Sequence, residues 1–257
     1  MKVSIITVCY NSEKTIADTL DSVQIQNYPD IELIVIDGKS TDGTLAIIEK
    51  YRNIVSQWLS EPDNGIYDAM NKGIKLATGD IVGILNSDDV FANNNVVSKI
   101  VDAFKKNPDT YCTYGDLIYV DKAKSKIKRY WKAKAGGIND FYKGWAPPHP
   151  TFYVRRNVFD ICGYYTTDFE VVADYEFMLR VMVKHQLKAT YIPHILVWMR
   201  IGGKSNESLK NRRQSFMDSY LAWEKNGLKP KYYTIYLKMA CKIYQYFNHK
   251  IDKKPLH

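Results

Sequence analysis

An α/β architecture is predicted, a doubly wound and mostly parallel sheet with helices on both faces. Three observations predict it. Apolar, β-branched runs alternate with amphipathic helical segments along the first 85 residues. The runs are predominantly apolar rather than alternating with polar residues, as strands covered on both sides are. Each run ends in small and acidic residues, where an open parallel sheet gathers its ligands.

Residues 3–9 (VSIITVC) and 31–36 (IELIVI) are the first two expected strands. Between them Ile16, Leu20 and Val23 mark one helical face, with Ser12 in the N-cap position. A second helix should follow Ser40-Thr41-Asp42-Gly43, carried by Leu45 and Ile48. Ile66, Met70, Ile74 and Ala77 recur at helical spacing and define a third, ending near Gly79. Residues 81–85 (IVGIL) give a third core strand. Beyond residue 110 the pattern changes. Residues 111–120 and 126–131 read as two strands about a polar turn, residues 175–182 as a helix, and residues 232–247 as an amphipathic helix. The expected division is residues 1–110, residues 111–227 and a basic helical tail, residues 228–257.

With 257 residues, 46% hydrophobic and 25% charged, the chain can bury a full core without disulfide or structural metal. Cys9, Cys112, Cys162 and Cys241 are scattered and show no zinc spacing. Cys9 and Cys112 sit in apolar runs and read as small core residues, and reduced thiols fit a cytoplasmic setting. Residues 1–9 are too short for a signal peptide, and no run approaches the roughly 18 apolar residues of a membrane span. Seven lysines and one acid, Asp252, give residues 228–257 a formal charge of +6 out of the chain's +8. Basic tails attract nucleic acid or anionic lipid, or simply confer solubility.

Three polar strand ends should meet at one edge of the sheet: Cys9-Tyr10-Asn11-Ser12, Asp37 to Gly43, and Asn86-Ser87-Asp88-Asp89. Asp88 and Asp89 are the strongest feature. Adjacent carboxylates after a buried strand repel each other, and a magnesium or manganese ion, which takes one or two carboxylates and fills its shell with phosphate, relieves this. The competing reading is an Asx-type turn that caps the next helix. Asp37 is placed to accept hydrogen bonds from a base or ribose, Asp42 being better placed to cap the following helix. A haloacid-dehalogenase phosphatase would need a second aspartate where Val35 stands, and neither GxGxxG nor a Walker-A loop is present.

The segments ITVCYNSEKTI, VIDGKSTDGT, EPDNGIYDAMNKGI and TGDIVGILNSDD resemble, in this order, the family 2 glycosyltransferases of the GT-A fold. They are most similar to those that build bacterial O-antigen, capsule and exopolysaccharide. The resemblance covers about the first 110 residues. It implies that Thr7, Tyr10 and Asn11 line the nucleotide pocket, and that Asp37 contacts the base, usually uracil. Asp63 would close over the nucleoside, with Asn71 and Lys72 nearby. Ser87-Asp88-Asp89 would be the DxD-like motif, Asp89 the metal (Mn2+ or Mg2+) ligand and Asp88 the ribose or metal-water contact. Val172-Ala173-Asp174-Tyr175-Glu176 with Arg180 resembles the acceptor-side acidic motif. Asp174 would then be the general base of an inverting displacement, with Glu176 as fallback. His149 and Arg156 would lie between donor and acceptor sites, His149 as a metal or diphosphate contact. Ser205, in Gly202-Gly203-Lys204-Ser205, would belong to a loop over the diphosphate.

The implied reaction transfers a hexose or N-acetylhexosamine from a UDP-sugar to a glycan or lipid-linked sugar, polyprenyl diphosphate being the expected carrier. Tyr232, Tyr236, Met239, Ile243 and Phe247 share one helical face of the tail, and lysines edge it. Such a helix suits a cytoplasmic membrane surface, or packs its stripe on the domain. The rival function is a non-catalytic nucleotide-sugar or polyanion-binding protein, with residues 122–134 and the tail as its basic surface; Asp37, Asp89 and Asp174 argue against it, and no nucleic-acid partner is expected.

Overall fold

A computed structural model describes residues 1–121, 123–201 and 209–247. The β-branched runs form β1 (Val3–Cys9) and β2 (Ile31–Asp37), which pair in parallel, Val3 beside Ile31 and Cys9 beside Asp37. β3 (Val55–Ser60) lies outside β2, and β4 (Ile81–Ile84) lies on the other side of β1, both parallel. The crossovers carry α1 (Ile16–Gln24), α2 (Thr44–Lys50) and α3 (Ile66–Leu76). Alternate residues of β1 serve opposite faces. Ile5 and Cys9 pack with Ile16, Leu20 and Ile48, while Ile6 and Val8 pack with Met70 and Ile74 of α3.

The chain then turns back. β5 (Asp89–Phe91), α4 (Val96–Lys106), β6 (Cys112–Val120), β7 (Ile127–Trp131), α5 (Ile138–Tyr142), β8 (Tyr153–Arg155), α6 (Val158–Cys162), α7 (Ala173–Leu179) and β9 (Ala189–Arg200) follow. The described residues form one nine-stranded sheet in the order β3-β2-β1-β4-β8-β6-β9-β5, with β7 alongside β6. Beyond β4 it is mixed: β8 runs antiparallel to β4 and β6, and β6 runs parallel to β9. Two helices close the description, α8 (Leu209–Lys225) and α9 (Thr234–Phe247).

Several expectations shift. Ser12 does not cap α1 through its side chain. The helix begins at Ile16, and the Ser12 hydroxyl meets Ser87 Oγ at 2.8 Å instead. Asp42 does cap α2, accepting from Thr44 N at 3.0 Å. Ile66 is exposed, and the buried side of α3 is Tyr67, Met70, Gly73 and Ile74. The tyrosines of the expected tail stripe face outward rather than packing on the domain. Tyr232 and Tyr236 are 90% and 67% exposed, while Ile235 joins the core. The side chains of Ile243 and Phe247 lie outside the described residues.

At the amino-terminal edge of the sheet, opposite the strand ends of interest, Glu32 ties β1, β2 and β4 together. It accepts from Lys2 Nζ (2.7 Å), Ser4 Oγ (2.5 Å), Thr78 N (2.8 Å) and Thr78 Oγ1 (2.7 Å). Burial pushes the Glu32 carboxyl up, but these four donors outweigh it and hold it near 2, below its ordinary 4.5. The folded state thus binds the proton less readily than the unfolded state. Its contribution is complete above pH 4.5 and is lost as pH falls toward 2. Glu32→Gln should cost roughly 2 kcal/mol at pH 7 and flatten this acid limb, read by urea unfolding at pH 7, 4 and 3.

Candidate active site

A cavity of about 840 Å³ opens at the carboxyl ends of β1 and β4, within the range that holds drug-sized ligands. Its floor is set by backbone turns. Asn11 takes a left-handed conformation (φ 49°), which asparagine tolerates. Its Oδ1 accepts from Thr41 N at 2.8 Å, and its own N–H donates to Ser40 Oγ at 2.8 Å. The first two strand ends are therefore one unit. Tyr10 presents its ring at the mouth, 62% exposed. Asp63 caps its own loop, accepting from Gly65 N at 2.9 Å, and lines the same end. A Cβ on Gly38 would stand 2.5 Å from Asp63 Oδ2, so a glycine is needed for Asp63 to close this slot.

The third strand end is a bend, Asn86–Ser87–Asp88, between β4 and β5. Thr19 Oγ1 donates to the Asp89 carbonyl (2.7 Å), and Arg200 Nη1 to the Asp88 carbonyl (2.8 Å). Arg200 also pairs with Asp18. The bend sends the two carboxylates apart. Asp88 lines the cavity. Asp89 is 0% exposed inside β5, with Oδ2 accepting from Asn86 Nδ2 at 3.2 Å and Oδ1 without a partner. Burial raises the pKa of both. Asp89 lies well above the carboxylate range because Asp88 adds repulsion, and Arg200 only partly offsets the two.

Asp174 faces the cavity from the first turn of α7. Its Oδ1 accepts from Tyr175 N (2.7 Å) and Tyr67 Oη (3.3 Å), and its Oδ2 stands 4.0 Å from His149 Nδ1, beyond hydrogen-bond reach. The other imidazole nitrogen meets Tyr165 Oη at 3.1 Å. Burial lowers the His149 pKa, with Asp174 pulling the other way, so the ring is neutral at pH 7.

Tyr10, Asn11, Asp63, Asp88, His149 and Asp174 are thus brought to one cavity. The other expected residues lie off its wall. Thr7 is fully buried with its hydroxyl unpartnered. Asp37 is 0% exposed, and its carboxylate is taken by Ser40 N (3.0 Å), Ser40 Oγ and Ser60 Oγ (2.6 Å), so it shapes the turn from behind. Asn71 exchanges two hydrogen bonds with the Tyr165 backbone (2.8 and 3.0 Å), and Lys72 pairs with Glu61 at 2.8 Å. Glu176 is buried and locked by Arg180 (2.7 Å) and Asn226 (3.0 Å), unable to serve as a second base. Arg156 is at the wrong edge: Arg155 pairs with Ile81, and Arg156 N donates to the Asp80 carbonyl at the start of β4. Ser205 lies outside the described residues. Arg129, Arg200 and Lys238 were not anticipated, because long-range contacts from β7, β9 and α9 bring them in.

The donor set can be weighed for a divalent ion. No group of three His, Cys, Asp or Glu forms a ready cage among the described residues. One cavity-facing carboxylate suits magnesium or manganese, which completes its shell with phosphate and water. Asp88 fits, since it lines the cavity and a cation would offset the burial that raises its pKa. Asp89 stands behind it, sealed from the cavity.

The family model described as Glycosyl transferase family 2 matches residues 4–169. The PGL/p-HBAD biosynthesis glycosyltransferase of Mycobacterium bovis is 30% identical over 213 residues, 79% of this chain and 78% of that protein. The fold is similar to Staphylococcus aureus TarS residues 1–349 in complex with UDP-GlcNAc. The TM-score is 0.68 at 21% identity, covering 88% of this chain and 65% of that one. It is also similar to a Pyrobaculum calidifontis mannosyltransferase in complex with GDP-Man and Mn2+ (TM-score 0.65, 18% identity, 95% and 69% covered). The fold and the cavity define a GT-A transferase. The chain belongs to glycosyltransferase family 2.

The neutral His149 carries a pH signature. Its pKa lies below 6.5 when folded and near 6.5 when unfolded, so the unfolded state gains protons first as pH falls. Stability should fall as pH drops from about 6.5. His149→Gln should shrink that slope in melting curves taken at pH 7.5, 6.5 and 5.5; an unchanged slope would contradict a buried neutral ring.

Proposed function

We propose that the chain is an inverting, metal-assisted transferase that moves a hexose or N-acetylhexosamine from a UDP-sugar to a lipid-linked glycan acceptor in surface-polysaccharide synthesis. One observation carries this reading: Asp88 and Asp174 line the same cavity from different elements, with Tyr10 and Asp63 at its nucleotide end. UDP-GlcNAc in TarS and GDP-Man with Mn2+ in the mannosyltransferase support a nucleotide-sugar donor and a divalent ion. Tyr10 would cover the base, with Asn11 and Asp63 closing on the nucleoside. Asp88, not Asp89, would hold the ion, because it is the carboxylate of the pair that reaches the cavity. When bound, the ion supplies charge that stabilises the departing diphosphate.

Asp174 would accept the acceptor hydroxyl proton as its oxygen bonds to the sugar's anomeric carbon and the bond to the diphosphate breaks, releasing UDP. Tyr67 and the Tyr175 amide hold one carboxylate oxygen, leaving Oδ2 to take the proton. Asp174→Asn should slow transfer on the order of 10²–10⁴-fold and leave UDP–manganese affinity nearly unchanged. Asp88→Asn should weaken manganese and UDP together, and chelation should do the same to the unaltered protein. Calorimetry with matched melting curves checks both. Loss of UDP–manganese binding in Asp174→Asn would move that residue to the donor side.

A membrane-surface location is the second part of the proposal. None of the described helices is long and apolar enough to cross a membrane. Met217, Tyr220 and Leu221 of α8 stand exposed, and the ring of Tyr236 of α9 packs at a tilt against Phe216 with centroids 5.3 Å apart. Exposed Tyr232 extends this face, and the segment around it is lysine-rich. Such a face suits the headgroup region of an anionic bilayer. Removing the tail is the wrong test, because Lys238, Cys241 and Gln245 line the cavity. Tyr232→Ser with Tyr236→Ser should instead weaken sedimentation with phosphatidylglycerol vesicles without changing the melting temperature. Equal sedimentation would remove the membrane from the proposal.

A further inference from the structure

The cavity has a second end, built by β6, β7 and α9, of which α9 lies beyond the residues matched by the family model, and it carries two cations, Arg129 and Lys238. α9 lies across it with Lys238, Cys241 and Gln245 turned inward at helical spacing. Its seat is fixed at three points. Ile235 is buried in the core, and Thr234 Oγ1 donates to the Tyr142 carbonyl at 2.7 Å. The third is Gly144, whose φ is +80°, and a Cβ there would stand 2.3 Å from the Lys238 amide nitrogen. The α9 backbone therefore rests on a position only glycine can occupy.

That seat holds the Lys238 ammonium 3.7 Å from the centroid of the Tyr175 ring, and Lys238 donates to Ser219 Oγ at 2.8 Å. Tyr175 follows Asp174 directly and is itself fixed by Trp223 Nε1, 2.9 Å from its hydroxyl. Two turns along α9, Gln245 Oε1 accepts from Arg129 Nε at 2.8 Å. Arg129 is 4% exposed, lines the same cavity, and lies over Tyr119 and Trp131 at 4.5 and 5.3 Å from their centroids. Trp145 adds another aromatic wall, with its Nε1 unpartnered.

A guanidinium that keeps its charge at any working pH, lining one cavity with an ammonium and aromatic faces, suits anionic oxygens on a sugar. A neutral glycan needs only hydroxyl and amide partners. Lys238 packs on Tyr175, the residue after the carboxylate proposed as base, and lines the same cavity as Asp174, so the group it reads is placed on the molecule that brings the hydroxyl. We infer that the acceptor carries an acidic oxygen group, a phosphate or a carboxylate, within about one sugar unit of the reacting hydroxyl, and that Lys238 and Arg129 read it. This rests on the transferase reading above.

The test uses the full chain saturated with UDP and manganese, so that the donor diphosphate site is filled. The probes are N-acetylglucosamine 1-phosphate, methyl glucuronide and the neutral methyl glycosides of the two sugars, measured by calorimetric titration. At least one acidic probe should bind on the order of tenfold tighter than its neutral match. The phosphate and uronate arms distinguish the two sources. Lys238→Gln should reduce that advantage to within about threefold, Lys238→Arg should retain it, and UDP affinity should stay within about twofold in both. Equal binding of acidic and neutral probes would overturn the inference. So would a Lys238→Gln variant that loses UDP affinity as much as probe affinity, since the cation would then serve the donor. Failure of the unaltered protein to bind UDP would instead contradict the transferase reading.

Discussion

Two adjacent carboxyl groups, Asp88 and Asp89, are held together at the end of a buried strand against burial and mutual repulsion, and the site is organised around that constraint. The bend that carries them is gripped from three directions: Thr19 from α1, Arg200 from β9 and Ser12 through Ser87. Each contact joins segments far apart in sequence, and Arg200 ties the bend to the mixed half of the sheet. Its effect is to divide the pair, one carboxylate toward the cavity and one into the interior. A cation held by Asp88, as proposed above, would lessen the repulsion that raises the Asp89 carboxyl.

The parallel strands and the mixed strands do different work. β1, β2 and β4 deliver the end of the cavity proposed for the nucleotide through their carboxyl-terminal turns, as an open parallel sheet does. The antiparallel extension and the helices after it deliver Asp174, His149, Arg129 and Lys238. α9 is two-sided. Its inner face closes the cavity, and its outer face, with α8, is the exposed aromatic surface. A lipid-anchored acceptor held at that surface would be presented next to the cationic end.

Much of this was legible in the sequence. β1, β2 and β4 are rich in Val and Ile, the composition expected of strands buried on both faces. Asp63, Asp88, His149 and Asp174 were read from ordered motifs and share one cavity. Asp37 and Thr7 were read from the same motifs but are sealed behind the turn, because period-two alternation sends neighbouring residues to opposite faces and a motif does not state the phase. At the Asp88–Asp89 pair the same question of phase arises, with Asp88 lining the cavity and Asp89 buried. β3 was missed because it is a half-exposed edge strand with polar positions (VSQWLS). Arg156 was misplaced because β8 runs antiparallel, which carries its end to the opposite edge, and strand direction is fixed only by pairing. The α9 stripe was read from its tyrosines, yet Ile235 and the lysine and glutamine on the other side are what pack inward.

The central claim is that Asp88 faces the donor and its ion while Asp174 faces the acceptor. The most direct measurement is a crystal structure with UDP and manganese, using anomalous scattering to locate the ion. The expected result is a single manganese peak about 2.0–2.2 Å from an Asp88 carboxylate oxygen, completed by diphosphate oxygens and water. Asp174 should lie across the cavity with no manganese contact. A manganese ion bound by Asp89 or by Asp174, or UDP lying along α9 beside Lys238, would contradict it.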